Sequence, residues 1–214
     1  MPADTPARPR WRIAVIDDHV PSRTVVTTAL AAAGNVVVAE ADTAAAGLAL
    51  VEGLRPDAVV LAVGLPDRDG VDVAAQIMER APCAIVLLSS RAQDSVVERA
   101  RLAGAMAYLV KPVRPEELAP AIELAIARFG EWHRASHEAA ALRRALADRK
   151  LIERAKGLLM QRLGLGEDDA FRMLQKTSMD RRVSMATLAG ALVRGEATFS
   201  APGRRDARNS RESA

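Results

Sequence analysis

Five short apolar runs alternate with helical patterns over the first half of the chain, and this order limits the possible folds. The runs start at Ile13, Val36, Ala58, Ala84 and Ala107. The helical patterns lie near residues 20–33, 43–53, 69–80 and 92–103. Continuous apolar strands separated by helices are typical of a parallel sheet that helices cover on both faces. The pattern predicts an α/β doubly wound domain with a five-stranded parallel sheet over residues 11–128.

The longest helical pattern extends from Pro115 to about Leu163. Its apolar residues follow one another at steps of four and three, the spacing of a coiled-coil seam. We predict one long helix, with residues 115–150 forming a connecting coiled coil that pairs with a second copy. The alternative is two ordinary helices with a break near Gly130. The seam comprises Leu118, Ile122, Ala125, Phe129 and Trp132, and after one step out of phase Ala135, Ala139, Leu142 and Leu146.

Two further short helices are predicted after the long one. Gly164 and Gly166 interrupt the helical pattern, and the acidic run that starts at Glu167 suits the first turn of a new helix. Ser184 can cap the last helix. Together with the end of the long helix they predict a small three-helix bundle over residues 148–194, with Phe171 in its core.

Charge is distributed unevenly along the chain, although the net charge is only +3. Residues 11–129 carry 11 Lys and Arg against 15 Asp and Glu, whereas residues 149–194 carry 10 against 5. An acidic front and a basic back suggest different roles, and the back is the better candidate for contact with phosphates. The alternative is that the basic residues form only a solvated helix face.

The ends of the chain and its single cysteine add three expectations. Residues 1–10 are Pro- and Ala-rich and residues 195–214 are polar and basic, so both segments are predicted to be disordered. No apolar run is long enough to span a bilayer or to serve as a signal peptide, which favours a cytoplasmic protein with no membrane contact. Cys83 lies in an apolar run and is predicted to be buried and reduced.

Polar side chains follow three of the predicted strands. Asp17 and Asp18 come after the first, Ser89 ends the fourth, and Lys111 follows the fifth. The carboxyl ends of parallel strands meet at one edge of the sheet, where such domains place their sites. Two carboxylates, a hydroxyl and a lysine at one crevice are suited to a divalent metal ion and a phosphoryl group.

These residues, in this order, resemble the receiver domain of bacterial two-component response regulators. The resemblance also rests on Leu65–Gly70, Gly104–Ala105 and Tyr108. It implies that the third strand should end in the aspartate that accepts phosphate, but Ala62 occupies this position. A methyl group cannot attack phosphorus, which excludes ordinary phosphorylation here and leaves Mg²⁺ binding at Asp17 and Asp18 weak or absent.

The loss of the acceptor changes what the remaining receiver residues are expected to do. Asp17, Asp18, Ser89, Tyr108 and Lys111 are interpreted as a vestigial site, in which Lys111 and Ser89 pair with the carboxylates and keep the crevice neutral. Tyr108 corresponds to the switch aromatic of receivers, and a role in the core or in an interface is an equal alternative.

Other acidic residues and the histidines are weaker candidates for a phosphate acceptor or a metal site. Asp67 and Asp69 follow the third strand, but Asp69 and Gly70 are predicted to form a turn that begins the next helix. His133 and His137 are one helical turn apart and lack a third metal ligand, so no metal site is predicted there. His19 is predicted to be a helix-start residue.

The basic segment resembles the ANTAR domain, the RNA-binding module of transcription antitermination regulators. The resemblance rests on Ala155–Met160, Gly164, Glu167, Ala170–Phe171, Leu174, Ser178–Met179 and Leu188–Ala189. It implies binding to paired hairpins in nascent RNA, in which Lys and Arg contact loop phosphates. The candidate RNA-binding residues are Arg154, Lys156, Arg162, Arg172, Lys176, Arg181 and Arg182.

The sequence thus predicts a regulator rather than an enzyme, since no catalytic constellation is present. A receiver-like domain that works without phosphorylation would serve dimerisation, through the long helix and residues 92–128, or control by a sensor protein. The alternatives are a DNA-binding response regulator and a signalling scaffold that binds no nucleic acid.

Overall fold

The computed structural model describes residues 11–90 and 94–197. The predicted disordered segment 1–10 and residues 198–214 of the predicted tail lie outside this range, as do positions 92 and 93 of the fourth helical pattern. The chain divides into two compact units, Met1–Ala135 and Ser136–Ala214. Among the described helices, none combines the length and apolar character needed to cross a membrane.

The first unit is a parallel sheet with helices between its strands, as predicted. The strands are β1 (Arg12–Ile16), β2 (Val36–Ala41), β3 (Ala58–Ala62), β4 (Ala84–Ser89) and β5 (Ala107–Val110). All strand pairs are parallel, and the order across the sheet is β2-β1-β3-β4-β5. The intervening helices are α1 (Val20–Ala32), α2 (Ala44–Leu54), α3 (Gly70–Arg80) and α4 (Asp94–Leu102).

Each face of the sheet has its own apolar core. Along β1, Ala14 and Ile16 point into one cluster, with residues of α2 and α3. Ile13 and Val15 point into the other, with residues of α1 and the start of the following helix. Alternate side chains of a strand face opposite sides, so a strand buried on both faces must be apolar throughout. This is why the strands were recognisable as unbroken apolar runs.

Helix α5 runs without interruption from Pro115 to Leu163. The prediction of one long helix is therefore confirmed, and the alternative of a break near Gly130 is wrong. The first part of the predicted coiled-coil seam needs correction: Leu118, Ile122 and Ala125 are buried in the core of the first unit. Only the later seam residues are left for a partner. Packing on a sheet and pairing with a helix require the same spacing of apolar residues, so the sequence did not distinguish the two.

The second unit is the predicted small bundle, built from the end of α5 with α6 (Glu167–Arg181) and α7 (Met185–Val193). Ser184 caps α7 by accepting a hydrogen bond from the backbone N–H of Thr187 at 3.0 Å, as expected. The fully buried core residues come from all three helices: Ala155, Leu159, Ala170, Leu174, Leu188, Ala189 and Leu192. A core this small depends on close packing of few side chains.

Candidate functional site

The crevice at the carboxyl edge of the sheet is centred on a buried ion pair. Asp17 follows β1 and is fully buried, and its carboxylate lies 2.7 Å from the Nζ of Lys111, which follows β5. The Oγ of Ser22 donates to the same carboxylate at 2.8 Å, and the backbone N–H of His19 donates at 3.1 Å. The buried charge of Asp17 is therefore both neutralised and hydrogen-bonded, as a buried carboxylate requires.

The other receiver residues lie around this pair. Asp18 is exposed and lines a cleft of about 640 Å³ with Lys111 and other residues. Ser89 is buried at the end of β4, where its carbonyl accepts a hydrogen bond from the backbone N–H of Lys111 at 2.7 Å. Tyr108 is partly buried and packs against the core between the sheet and α3. The fold thus brings together, at the carboxyl edge of the sheet, Asp17, Asp18, Ser89 and Lys111.

Position 62 offers no reactive group to the crevice. Ala62 ends β3 and is 1% exposed. A Cβ added to Gly70 would lie 2.0 Å from the carbonyl oxygen of Ala62, so the backbone of the next helix approaches this strand end closely. The side chain that ends β3 therefore supplies neither a nucleophile nor a metal ligand.

The acidic residues after β3 are committed to helix starts. Asp67 accepts hydrogen bonds from the backbone N–H groups of Ala44 and Ala45 at 2.8 and 3.0 Å, at the start of α2. These two bonds lower the pKa of Asp67. They therefore stabilise the fold at pH values above the normal pKa of a carboxylate, and this stabilisation is lost as the pH falls through the lowered pKa. Asp69 caps α3 and pairs with Arg99 at 2.8 Å, which confirms the predicted turn.

The side chains of the crevice provide few free oxygens for a divalent metal ion. Asp17 already accepts from Lys111, Ser22 and His19, and the side chain of Ala62 contributes no oxygen. Within residues 11–90 and 94–197, no three His, Cys, Asp or Glu side chains are grouped so that they could hold a metal. Mg²⁺ prefers several carboxylate or water oxygens in octahedral geometry, and Asp18 alone provides little of that.

The second unit presents most of the predicted RNA-binding cations to solvent. Arg172 makes one exposed ion pair, with Asp169 at 3.3 Å. The other exposed residues form no ion pair within the described part of the chain. An exposed guanidinium or ammonium group keeps its charge available for phosphate. The six exposed candidates are Arg154, Arg162, Arg172, Lys176, Arg181 and Arg182.

Lys156 differs from these six, and its predicted role as a surface RNA contact is not supported by its position. It is 8% exposed, and its Nζ lies 2.7 Å from Glu167 and 3.1 Å from Glu153. These partners raise the pKa of Lys156 and lower that of Glu167. Lys156 therefore ties the end of α5 to the first turn of α6.

Comparison with known proteins assigns both units. Residues 13–123 match the response regulator receiver domain, and residues 140–193 match the ANTAR domain. The chain belongs to the ANTAR response regulator family.

Relatives of this ANTAR response regulator include proteins that match over most of the chain or over the receiver alone. The chain is 43% identical over 178 residues to the transcriptional regulatory protein PdtaR of Mycobacterium tuberculosis, covering 83% of the chain and 87% of PdtaR. It is 35% identical over 114 residues to the DNA-binding transcriptional activator DevR/DosR of the same organism, covering 52% of each. The receiver of the M. tuberculosis response regulator NarL matches with a TM-score of 0.51 and 34% identity, covering 54% of this chain and 96% of that one.

The position of Phe171 in the ANTAR bundle corrects the sequence prediction. Phe171 was expected in the core, but the residue is 40% exposed on α6, beside the buried residues Ala170 and Leu174. Periodicity alone could not separate these positions, since all three are apolar and a helical turn spans them.

Three other residues complete the comparison with the sequence predictions. Ser22 was not predicted to contact the crevice, although its place five residues after Asp17, in the first turn of α1, was the available signal. His19 caps α1, as predicted. Cys83 is buried, also as predicted, and burial raises the pKa of its thiol to about 12.

Proposed function

We propose that this chain is a transcription antitermination regulator that binds paired hairpins in nascent RNA through its ANTAR bundle. The observation that carries the proposal is the set of six exposed cations on the bundle, and five of these cations have no acidic partner in the described structure. Surface cations that neutralise phosphates release the counterions of the nucleic acid, and this release drives binding. The ANTAR family match supports RNA as the partner.

A second copy of the chain is proposed as the partner of α5. In the second unit Leu142 and Leu146 are 65% and 56% exposed, and in the first unit Trp132 is 44% exposed. These residues belong to the later part of the predicted seam, and a leucine that stays in water loses the free energy that burial would provide. Two copies would present two bundles, which suits an RNA with two hairpins.

The receiver unit is proposed to act without phosphorylation and without Mg²⁺. Ala62 cannot form an acyl phosphate, and Lys111 is held by Asp17 inside the resting crevice. Control would then come from a sensor protein or from pairing of the receiver units. The surface formed by residues 92–128 is the proposed contact, because its described part exposes Val97, Leu102 and Val110.

RNA binding should be tested with the untreated full chain. The probe is a pool of RNAs with two hairpins and randomised loops, compared with duplex DNA of similar length across a salt series. We expect enrichment of particular loops, two protein copies per RNA, and an affinity that falls steeply between about 50 and 200 mM salt. Preference for duplex DNA would favour a DNA-binding regulator, and no binding to either at low salt would favour a scaffold.

Phosphorylation should be tested with acetyl phosphate and Mg²⁺. We expect no phosphorylated species of the natural chain by intact mass, because no carboxylate lies at the end of β3. A response regulator receiver with its aspartate intact serves as the positive control. A mass increase of one phosphoryl group that hydroxylamine removes would contradict the proposal and would identify a different acceptor.

A further inference from the structure

Phe171 is an exposed aromatic residue in a bundle that has no other. Within residues 136–197 it is the single Phe, Tyr or Trp, and the residue is 40% exposed. A core is available next to it, since Ala170 and Leu174 are completely buried. Burial of an aromatic ring is strongly favourable, so an exposed ring beside a core is available for another binding partner.

The residues that surround Phe171 on α6 form two adjacent rows. Phe171, Gln175 and Met179 follow one another at intervals of four residues, and residues at this spacing form a continuous ridge on a helix. All three are exposed, Met179 to 71%. The neighbouring row, one residue further along, contains Arg172 and Lys176, which are also exposed. Two apolar side chains, with Gln175 between them, thus lie beside two cations.

The basic row is able to exchange its present contacts for phosphate. Arg172 pairs with Asp169 at 3.3 Å, but the two side chains are 72% and 64% exposed. An ion pair in water contributes little, so a phosphate group can replace the carboxylate. Lys176 has no acidic partner within the described residues.

This arrangement matches the chemistry of an unpaired nucleotide better than that of a duplex. A nucleobase stacks on an aromatic ring while its phosphate contacts a nearby cation, and stacking is possible only when the face of the base is not covered by its neighbours. Bases in the stem of a hairpin are covered on both faces, whereas loop bases can turn outward.

We propose that the ring of Phe171 stacks on an unpaired base of an RNA hairpin loop, while Arg172 and Lys176 contact the adjacent phosphates. This inference rests on the proposed RNA binding of the bundle and adds the group that recognises the loop. The flat ring of Phe171 stacks only on a base with an exposed face, and it therefore distinguishes loops from stems. The two cations supply the part of the affinity that depends on salt concentration.

The test compares variants of the full chain on one RNA enriched from the twin-hairpin pool. Phe171→Leu should weaken binding about tenfold without changing the salt slope, because a leucine stays apolar and uncharged but lacks the flat ring. Phe171→Tyr should bind as the natural chain does. Arg172→Gln should reduce the salt slope by about one phosphate contact. Circular dichroism melting of each variant checks that the bundle remains folded.

The outcomes separate the two proposals. If the natural chain binds the RNA and Phe171→Leu binds equally well, stacking is wrong, RNA binding stands, and the row of Phe171 and Met179 is assigned to a protein contact. If Phe171→Tyr loses as much affinity as Phe171→Leu, the flat ring is not what the RNA recognises. If the natural chain binds no RNA at low salt, both proposals are overturned.

Discussion

Replacing Lys111 with methionine should lower the free energy of unfolding of the receiver unit by about 3 kcal/mol. The variant leaves Asp17 fully buried without the ammonium group that now lies 2.7 Å away. Removal of one partner from a buried pair is more harmful than removal of both, because the remaining charge is uncompensated. The side chain of Lys111 is 18% exposed, so the expected loss of stability is at the lower end of the range for buried pairs.

The measurement is urea unfolding followed by tryptophan fluorescence. Both tryptophans, Trp11 and Trp132, belong to the first unit, but Trp132 is exposed on α5 in the proposed contact with a second copy, so all variants are compared at one protein concentration. The double variant Asp17→Asn with Lys111→Met should recover most of the lost stability. Arg101→Met, which breaks an exposed pair with Glu98, is the matched control and should change little. Equal effects for Lys111→Met and Arg101→Met would contradict the assigned role of the buried pair.

Replacing Gly70 with alanine should destabilise the receiver unit by more than about 3 kcal/mol. The added Cβ would lie 2.0 Å from the carbonyl oxygen of Ala62 and 2.8 Å from the Cα of Val63. Both are backbone atoms that cannot rotate away, so the end of β3 or the start of α3 must shift. The N–H of Gly70 also donates to the carbonyl of Val63 at 2.7 Å, and a shift would weaken this hydrogen bond.

The same fluorescence experiment tests this prediction, with Gly53→Ala as the matched control. Gly53 lies in α2, and a Cβ there would meet nothing within 4 Å. That substitution should therefore be neutral or stabilise the unit by up to about 1 kcal/mol, because alanine has less conformational freedom to lose in a helix. If Gly70→Ala were as stable as Gly53→Ala, the close approach of α3 to the end of β3 would be refuted.

The sequence predicted the sheet well because its strands are buried on both faces. A run such as Ala58–Leu61 has no polar position to break it, and the turn residues around it mark its ends. The site at the edge of the sheet was equally predictable, since parallel topology alone brings Asp17 and Lys111 together. The pairing of these two residues followed from chemistry, because a buried carboxylate requires a partner.

The predictions that failed depend on distances that a sequence does not contain. Lys156 was placed on the polar face of the bundle as a candidate RNA contact, but the turn between α5 and α6 brings Glu167 within 2.7 Å of it. Phe171 was assigned to the core because its neighbours are apolar, although its position on the helix is just beyond the buried face. The seam at Leu118 and Ile122 matches a coiled coil in spacing and belongs to the receiver core.

The pairing of Asp17 with Lys111 also has a consequence for synthesis of the protein. The two residues are 94 positions apart, so the ribosome must produce nearly the whole receiver before the lysine can reach the carboxylate. Until then, docking of β1 would bury a lone negative charge, which opposes early formation of the sheet. A nascent chain that ends before residue 111 should therefore stay open at its first strand, and the receiver should fold as one late event.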